Sequence, residues 1–406
     1  MDTNGINIGI TIGLSTKQPS IWINGISMNA IFLADALMQS NKNYNVYLLN
    51  TSSVRIKLND PDVKIPWDTN KYPIYEYHEM AEKTDLLIQL STSFPKKSND
   101  EFKGLNINKL PKKIVGYKCG NNYVIEMQRA LYCSMEDDPK YVAAWSGNTD
   151  DIWFVPQQEY HNKHYYDVFE NVNSKPVPFV WNSIFLDEFE KDYNEQLNST
   201  VYYEHTDKKR IVCFEPNNDV LKYNMIPTLI TELAYRKRKD NVDNYVVCSG
   251  KTIGIKQSYI THVTKLDIFK DGLLKVDGRW PMPKYLSENT DIVVSHQWDN
   301  PLNYAYLDAI YFDYPLIHNA YMVQDAGYYY EDFNIPEGSK QLINAIDNHS
   351  NNIDEYKSKS SLVLSRYTAS KNKGIIETYD KLIENLWNKD KHKLSYKYDW
   401  KTNLYK

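Results

Sequence analysis

The chain contains no apolar run long enough to cross a bilayer, so no membrane span is expected. Its first residues, MDTNGINIGITIGL, have neither a basic stretch nor a small-residue cleavage site, so no signal peptide is expected. Cysteine is scarce. Cys119, Cys133, Cys213 and Cys248 have neither metal-ligand nor disulfide-like spacing. Three of them, Cys119, Cys213 and Cys248, lie in or beside apolar runs and read as reduced core residues of a cytoplasmic protein. Positive charge is not in excess either. The formal net charge is -5, which gives no global nucleic-acid signal but leaves room for a local basic groove. Gly9 and Gly13 lack the full dinucleotide spacing, and there is no P-loop, no Ser-His-Asp arrangement and no metalloprotease motif.

What is present is enough chain for two domains, 406 residues with 42% hydrophobic content. The 34 tyrosines, with abundant Asn and Lys, read as a coding bias rather than a functional signal. Residues 6–14 read as a buried strand with glycines near its end. A polar loop follows, and residues 26–39 then show helical spacing through Ile26, Ala30, Leu33, Ala34 and Leu37. Residues 45–50 read as the next strand, which makes a βαβ opening. Further strands are expected at 85–90, 113–118 and 152–156, with Ser91-Thr92-Ser93 and Gly120-Asn121-Asn122 after the first two.

A packed hinge is expected at 175–187 and a polar surface excursion at 191–209. Strand, loop, helix and strand then recur: strand 210–214, loop Glu215-Pro216-Asn217-Asn218, helix 225–236 and strand 244–248. The stretch 291–320 repeats the unit. Ile292-Val293-Val294 ends at Ser295 and His296. Pro301 opens the helix, and Leu316-Ile317 ends at His318 and Asn319. A late helix is expected at 338–346 and a long helical tail at 362–387, broken near Asn372 to Gly374. The fold class is therefore α/β, with two Rossmann-like doubly wound domains facing a cleft and a helical C-terminus. Residues 1–175 form the first domain, 176–375 the second, and 376–406 a helix and basic tail. This architecture resembles the two-Rossmann-domain glycosyltransferase fold, GT-B. There the second domain takes a nucleotide-sugar donor and the first domain the acceptor.

Ligands of such sheets bind beyond the carboxyl ends of the strands. The second-domain loops that follow strands are therefore the candidate donor site. They supply Glu215, Asn217, Ser249, Gly250, Lys251, His296, Asn300, Asn303, Tyr304, Asp308, His318 and Asn319. An ammonium such as Lys251 suits a diphosphate as a point charge, and Gly250 permits close backbone approach. Asp308 is placed to accept from a ribose hydroxyl. Each of these also has a bland reading, as a surface acid or a satisfied buried histidine. The acidic groups Glu136-Asp137-Asp138, Asp150-Asp151 and Asp60-Pro61-Asp62 do not follow strands in a metal-binding D-x-D manner. They read as solvated acids, and no metal is expected.

The segments IGITIGL and SIWINGISMNAIFLADAL, with Trp22, Asn24 and Gly25 as a W-x-N-G core, resemble a bacterial and viral family of unknown-function domains grouped with GT-B-like glycosyltransferases. So do DIWFVPQ, PFVWNSIFL, NPLNYAYLDAIYFDYPLIHN and DAGYYYEDFN, and the resemblance covers most of the chain. It implies sugar transfer from a nucleotide sugar, UDP-linked, without a cofactor. It implies Gly327 as a backbone donor to the sugar nucleotide. Gly327 also reads as a glycine turn before a strand of packed tyrosines. On the acceptor side it implies Ser20, Trp22, Asn24, Gly25 and Asn121.

An inverting transfer needs a base, for which Glu126, Asp150 and Asp151 stand as unranked candidates. By analogy with T-even-like phage enzymes, the acceptor is expected to be double-stranded phage DNA carrying hydroxymethylated or already glycosylated cytosine, which would receive a glucosyl or arabinosyl group. Its phosphates would meet Lys208-Lys209-Arg210, residues 236–239, and the tail with Lys391, Lys393, Tyr396, Lys397, Tyr398, Trp400 and Lys401. A surface glycan as acceptor, a non-catalytic nucleotide-sugar-binding protein and a nucleotide-sugar epimerase are the alternatives.

Overall fold

A computed structural model of the chain describes residues 3–23, 25–52, 54–80, 82–90, 111–134, 149–388 and 398–405. Asn24, Ser91-Thr92-Ser93, Glu136-Asp137-Asp138 and the tail residues Lys391, Lys393, Tyr396 and Lys397 lie outside them. The chain divides into two compact units, Met1–Asn182 with Arg366–Lys406, and Ser183–Ser365. The expected division was at 175/176, with a separate C-terminal segment from 376.

In the first unit β1 (Asn7–Ile12), β2 (Asn45–Asn50), β3 (Ile74–Glu76), β4 (Leu86–Gln89), β5 (Lys113–Lys118), β6 (Asp151–Phe154) and β7 (Lys175–Pro176) form one sheet. Its order is β3-β2-β1-β4-β5-β6-β7, and every pairing is parallel. A parallel sheet is covered on both faces, so its strands read as near-continuous apolar runs. β1 shows this, with Ile8, Ile10 and Ile12 fully buried. β3 and β7 escaped the sequence reading because neither Ile74-Tyr75-Glu76 nor Lys175-Pro176 is an apolar run.

The end of the chain returns to this unit, and specific hydrogen bonds hold it there. The Tyr379 hydroxyl donates to Pro178 O at 2.8 Å, and the Ser40 hydroxyl donates to Asp380 at 2.7 Å. Asn403 both donates to and accepts from the Phe179 backbone. The expected tail helix is broken where expected, before Lys373, and its first part begins earlier: the two helices are Ile353–Tyr367 and Lys373–Trp387.

The second unit contains β8 (Lys209–Cys213), β9 (Val242–Val247), β10 (Leu274–Val276), β11 (Ile292–Val294), β12 (Leu316–His318) and β13 (Tyr328–Tyr329). Their order is β10-β9-β8-β11-β12-β13, again all parallel. Ile211, Tyr245, Ile292, Ile317 and Leu342 pack in one buried cluster, which ties the helix Ile335–Asn348 to the sheet. Each such side chain contributes roughly 1.5–3 kcal/mol by leaving water. The stretch expected as a polar excursion begins as a helix, Ile184–Leu197. Pro301 does not open the helix that follows β11. That helix is Tyr304–Tyr311, with Asn303 as its cap. Among the described residues, no helix is long and apolar enough to cross a membrane.

Candidate functional site

Strand order in the second unit reverses direction between β8 and β11, whose registers meet at Val212 and Val293. Such a switch point leaves a crevice at the carboxyl ends of the two strands. The loops leaving β8 and β11 contain Glu215, Asn217, His296, Asn300, Asn303 and Tyr304. Topology therefore brings this group together, with Asp308 on the helix that follows. Three loop residues here adopt left-handed backbone without being glycine: Asn217 (φ 58), Ser249 (φ 54) and Asp299 (φ 50). Such conformations are sparsely populated and gather at functional turns.

Asn217 is fixed from several sides. Its amide donates to Glu215 O at 2.6 Å, and its side-chain oxygen accepts from both the backbone and the side chain of Asn224. That oxygen is spent inside the loop, so Asn217 shapes the turn. Glu215 is buried, and the Tyr306 hydroxyl donates to it at 3.3 Å. Burial raises its pKa, and the Lys222 ammonium pulls it back. Lys222, absent from the sequence reading, is the only cation in the β8 loop. Burial lowers its pKa, against the pull of Glu215 and Asp219, and no ion pair or hydrogen bond holds the ammonium. Its signal in the sequence was that solitude: one lysine among residues 214–224.

The β9 loop contributes differently from expectation. The Ser249 and Gly250 N–H groups donate to Gly278 O and Asp277 O, so neither is left for a phosphate. Gly250 is required for packing, because a Cβ there would stand 2.7 Å from Val276 and 2.9 Å from Val247 O. Lys251 projects freely, 73% exposed, with Asp277 at 3.8 Å. The β10 loop adds Arg279, whose pKa burial lowers and which has no ion-pair partner. Trp280 beside it donates its indole N–H to Asp277 at 2.9 Å. Neither was foreseen, because the three-residue β10 was not recognised as a strand.

After β11 the loop is clamped by an amide pair. Asn319 accepts from Gln297 N at 2.8 Å and donates to Gln297 O at 2.8 Å, while Asn300 N donates to the Gln297 side chain at 2.6 Å. Asn319 is therefore a positioning residue, and its side chain also donates to Asp332 O at 3.0 Å. His318 is likewise consumed. One ring nitrogen accepts from Ala320 N and the other donates to Ala326 O, and burial pushes its pKa down to about 4. A ligand role for His318 is thus replaced by a structural one. Gly327 sits at φ +71, where a Cβ would come 2.7 Å from His318, and β13 with its tyrosines follows directly. Conformation and crowding account for this glycine without a ligand.

The first unit has its own switch point, between β1 and β4. Ser20 is exposed and Trp22 half-buried in the segment after β1, and Gly25 opens the helix Gly25–Met38. Asn121 caps the helix Asn122–Tyr132. Its oxygen accepts from Val124 N and from Asn162. Glu126 lies on that helix, paired with Arg129 at 3.1 Å. Asp150 and Asp151 are a correction. They stand at the start of β6, the amino edge of the sheet, away from where ligands of such sheets gather. Asp150 takes Lys113 at 2.9 Å, and Asp151 takes Lys175 at 2.6 Å and the Trp153 indole at 3.1 Å. They hold strands together and leave Glu126 as the remaining acid candidate. Among the described residues, no three His, Cys, Asp or Glu side chains gather as a metal site.

Two parallel doubly wound units in one chain, with polar loops at the carboxyl edge of the second sheet, constitute the GT-B fold of glycosyltransferases. Residues 8–383 match the family described as "Protein of unknown function (DUF2827)", and the chain belongs to that family. No curated protein matches it. Among solved structures it is similar to WaaG, a glycosyltransferase involved in lipopolysaccharide biosynthesis. The TM-score is 0.51 at 11% identity, over 91% of this chain and 99% of that one. It is also similar to the catalytic domain of starch synthase IV from Arabidopsis thaliana. There the TM-score is 0.52 at 10% identity, over 95% of this chain and 100% of that one. Against TarM of S. aureus it spans 56% of that chain's length and 76% of its own, at 13% identity and a TM-score of 0.46.

Proposed function

We propose that the chain is a glycosyltransferase that draws on a nucleotide sugar held at the carboxyl edge of the second unit. The observation that carries this is Lys222. It is a partly buried ammonium with no ion pair, in the loop leaving β8 at the switch point. A desolvated ammonium that Glu215 and Asp219 offset only at a distance, without a direct contact, is costly unless a ligand anion completes it. Arg279 and Lys251 add two more cations on neighbouring loops, and the helix Tyr304–Tyr311 presents its amino end there. Together they suit the charge that develops on a leaving diphosphate. Asp308 is the proposed ribose acceptor. Glu126 is the proposed base for an inverting transfer. The shared fold supports the reading, as do WaaG, described as a glycosyltransferase, and starch synthase IV, solved with ADP.

Two acceptors stand as proposals. Duplex DNA with hydroxymethylcytosine rests on the basic clusters of the sequence. In the fold Arg210 pairs with Asp291, Arg236 with Glu232 and Asp267, Arg238 with Asp347, and Lys239 with Asp271. Cations already neutralised release few counterions on meeting phosphates. That favours a glycan hydroxyl as the acceptor.

The test is a thermal-shift series with UDP, ADP and GDP and their glucose or mannose conjugates, since a ligand bound only by the folded state raises the melting temperature. It is followed by transfer of labelled sugar to glycans and to modified and plain duplexes. With cationic side chains in place of a metal, transfer is expected to survive EDTA. Loss restored by manganese or magnesium would contradict this.

A further inference from the structure

The imidazole of His296 sits at the end of β11, 4% exposed. The Tyr330 hydroxyl lies 3.0 Å from its Nδ1, and the same hydroxyl donates to Ser295 O at 3.0 Å. A phenol has one proton. Because that proton goes to Ser295, Nδ1 must donate to the hydroxyl, and Nε2 is left as a bare lone pair. Nε2 is buried and has no hydrogen-bond partner. An unmet buried acceptor of this kind costs about 1–3 kcal/mol, so it calls for an explanation.

Around the imidazole stand aromatic rings that reach solvent. The Phe333 ring lies 4.5 Å from that of His296 and is itself 51% exposed. Trp298, 48% exposed, lies 6.5 Å from Phe333 at 74°. Large rings are not left in water at random beside an unmet polar atom. Both are held by their loops: Trp298 N donates to Leu221 O at 2.9 Å, and Asn319 clamps the neighbouring Asp332. A neutral imidazole whose free nitrogen is a lone pair cannot donate to a phosphate oxygen. It can accept from a hydroxyl. A flat apolar wall beside a hydroxyl acceptor matches a sugar ring, whose C–H face packs on aromatics while its hydroxyls need partners.

We infer that His296 Nε2, with Phe333 and Trp298 as walls, is the subsite that reads a hydroxyl of the donor's sugar. It is separate from the cations that hold the diphosphate. The inference rests on the nucleotide-sugar reading above and adds which atom selects the glycosyl group. Phe333 shifts aside as the sugar enters, and the hydroxyl then satisfies Nε2.

The experiment compares each nucleotide diphosphate with its sugar conjugate by calorimetry: UDP with UDP-glucose, ADP with ADP-glucose, GDP with GDP-mannose. His296→Asn keeps a donor towards Tyr330 and deletes the Nε2 acceptor. It is expected to leave diphosphate affinity within about twofold and to weaken the cognate conjugate about tenfold, the worth of one hydrogen bond. His296→Gln, which places an amide oxygen within reach of the Nε2 position, is expected to recover part of that loss. Phe333→Ala and Trp298→Ala, at half-exposed positions where folding is not at stake, are expected to narrow the preference for the conjugate in the same way. Equal weakening of diphosphate and conjugate would overturn the assignment, as would no change in either. If the wild-type protein binds conjugates no better than diphosphates, the sugar subsite is absent although the donor reading stands. If it binds neither, the donor reading fails and the subsite with it.

Discussion

At the amino edge of the second unit's sheet, Arg210 grips Asp291 through two bonds of 2.9 Å, one strand's first residues tied to the next. At the carboxyl edge of the same sheet, Lys222 and Arg279 have no ion-pair partner, and His296 keeps an unmet lone pair. The first unit repeats the amino-edge arrangement, with Lys112 on Asp85, Lys113 on Asp150 and Lys175 on Asp151. Charge type therefore does not distinguish the two edges. Completion of the ion pairs does. Where acid and base are both present within the fold, burial of the pair serves the architecture. Where no partner stands within ion-pair distance, as at Lys222 and Arg279, the proposed donor would supply the contact the fold does not.

Acid separates the two edges with the largest expected effect. Burial pushes His296 and His318 at the carboxyl edge, and His349 elsewhere in the unit, down to about 4. An unfolded histidine titrates near 6.5. Between those values the unfolded chain takes up protons that the folded unit refuses. Stability is therefore complete above about pH 6.5 and is lost as pH falls towards 4, on the order of 3 kcal/mol for each histidine. Urea unfolding at pH 7 and at pH 4.5 is expected to show a marked fall in midpoint. An unchanged midpoint would mean that these histidines are not buried neutral.

Next in size is the amino edge. Arg210→Ala leaves Asp291, 2% exposed in its side chain, as an uncompensated buried charge. A loss of roughly 3–5 kcal/mol is expected in urea unfolding, with nucleotide affinity of the folded fraction unchanged. A variant that stays stable but loses nucleotide binding would break the contrast between the edges.

Much of this was legible in the sequence, and what was missed has physical causes. Apolar runs bounded by polar turns identified β2, β5 and β11 to the residue, because a strand covered on both faces carries its own signal. β10, Leu274–Val276, has Lys275 between its two apolar residues and lacks the apolar run that marked β11, so Arg279 and Trp280 went unseen with the strand that positions them. Asp150 and Asp151 read as candidate bases because linear order does not say which end of a strand faces the ligand, and Lys113 and Lys175 are distant in sequence. Gly250 was given to a ligand and Gly327 to a ligand or to a turn before a strand; crowding by Val276 explains the first, and the turn, with crowding by His318, explains the second. His296 stood among the candidates of the β11 loop. Which of its nitrogens is free depends on Tyr330, 34 residues on.

The most direct test of the account is a calorimetric titration of the wild-type chain, Lys222→Ala and Lys251→Ala with nucleotide diphosphates and their sugar conjugates. Removing the unpaired, partly buried Lys222 is expected to weaken binding by about 10- to 100-fold, the range for a charge-assisted contact, without lowering the melting temperature of the free protein. Lys251, which is mostly exposed and already near Asp277, is expected to cost only a few-fold. Binding of every nucleotide to Lys222→Ala at wild-type affinity would contradict the claim that the carboxyl edge of the second unit is the donor site.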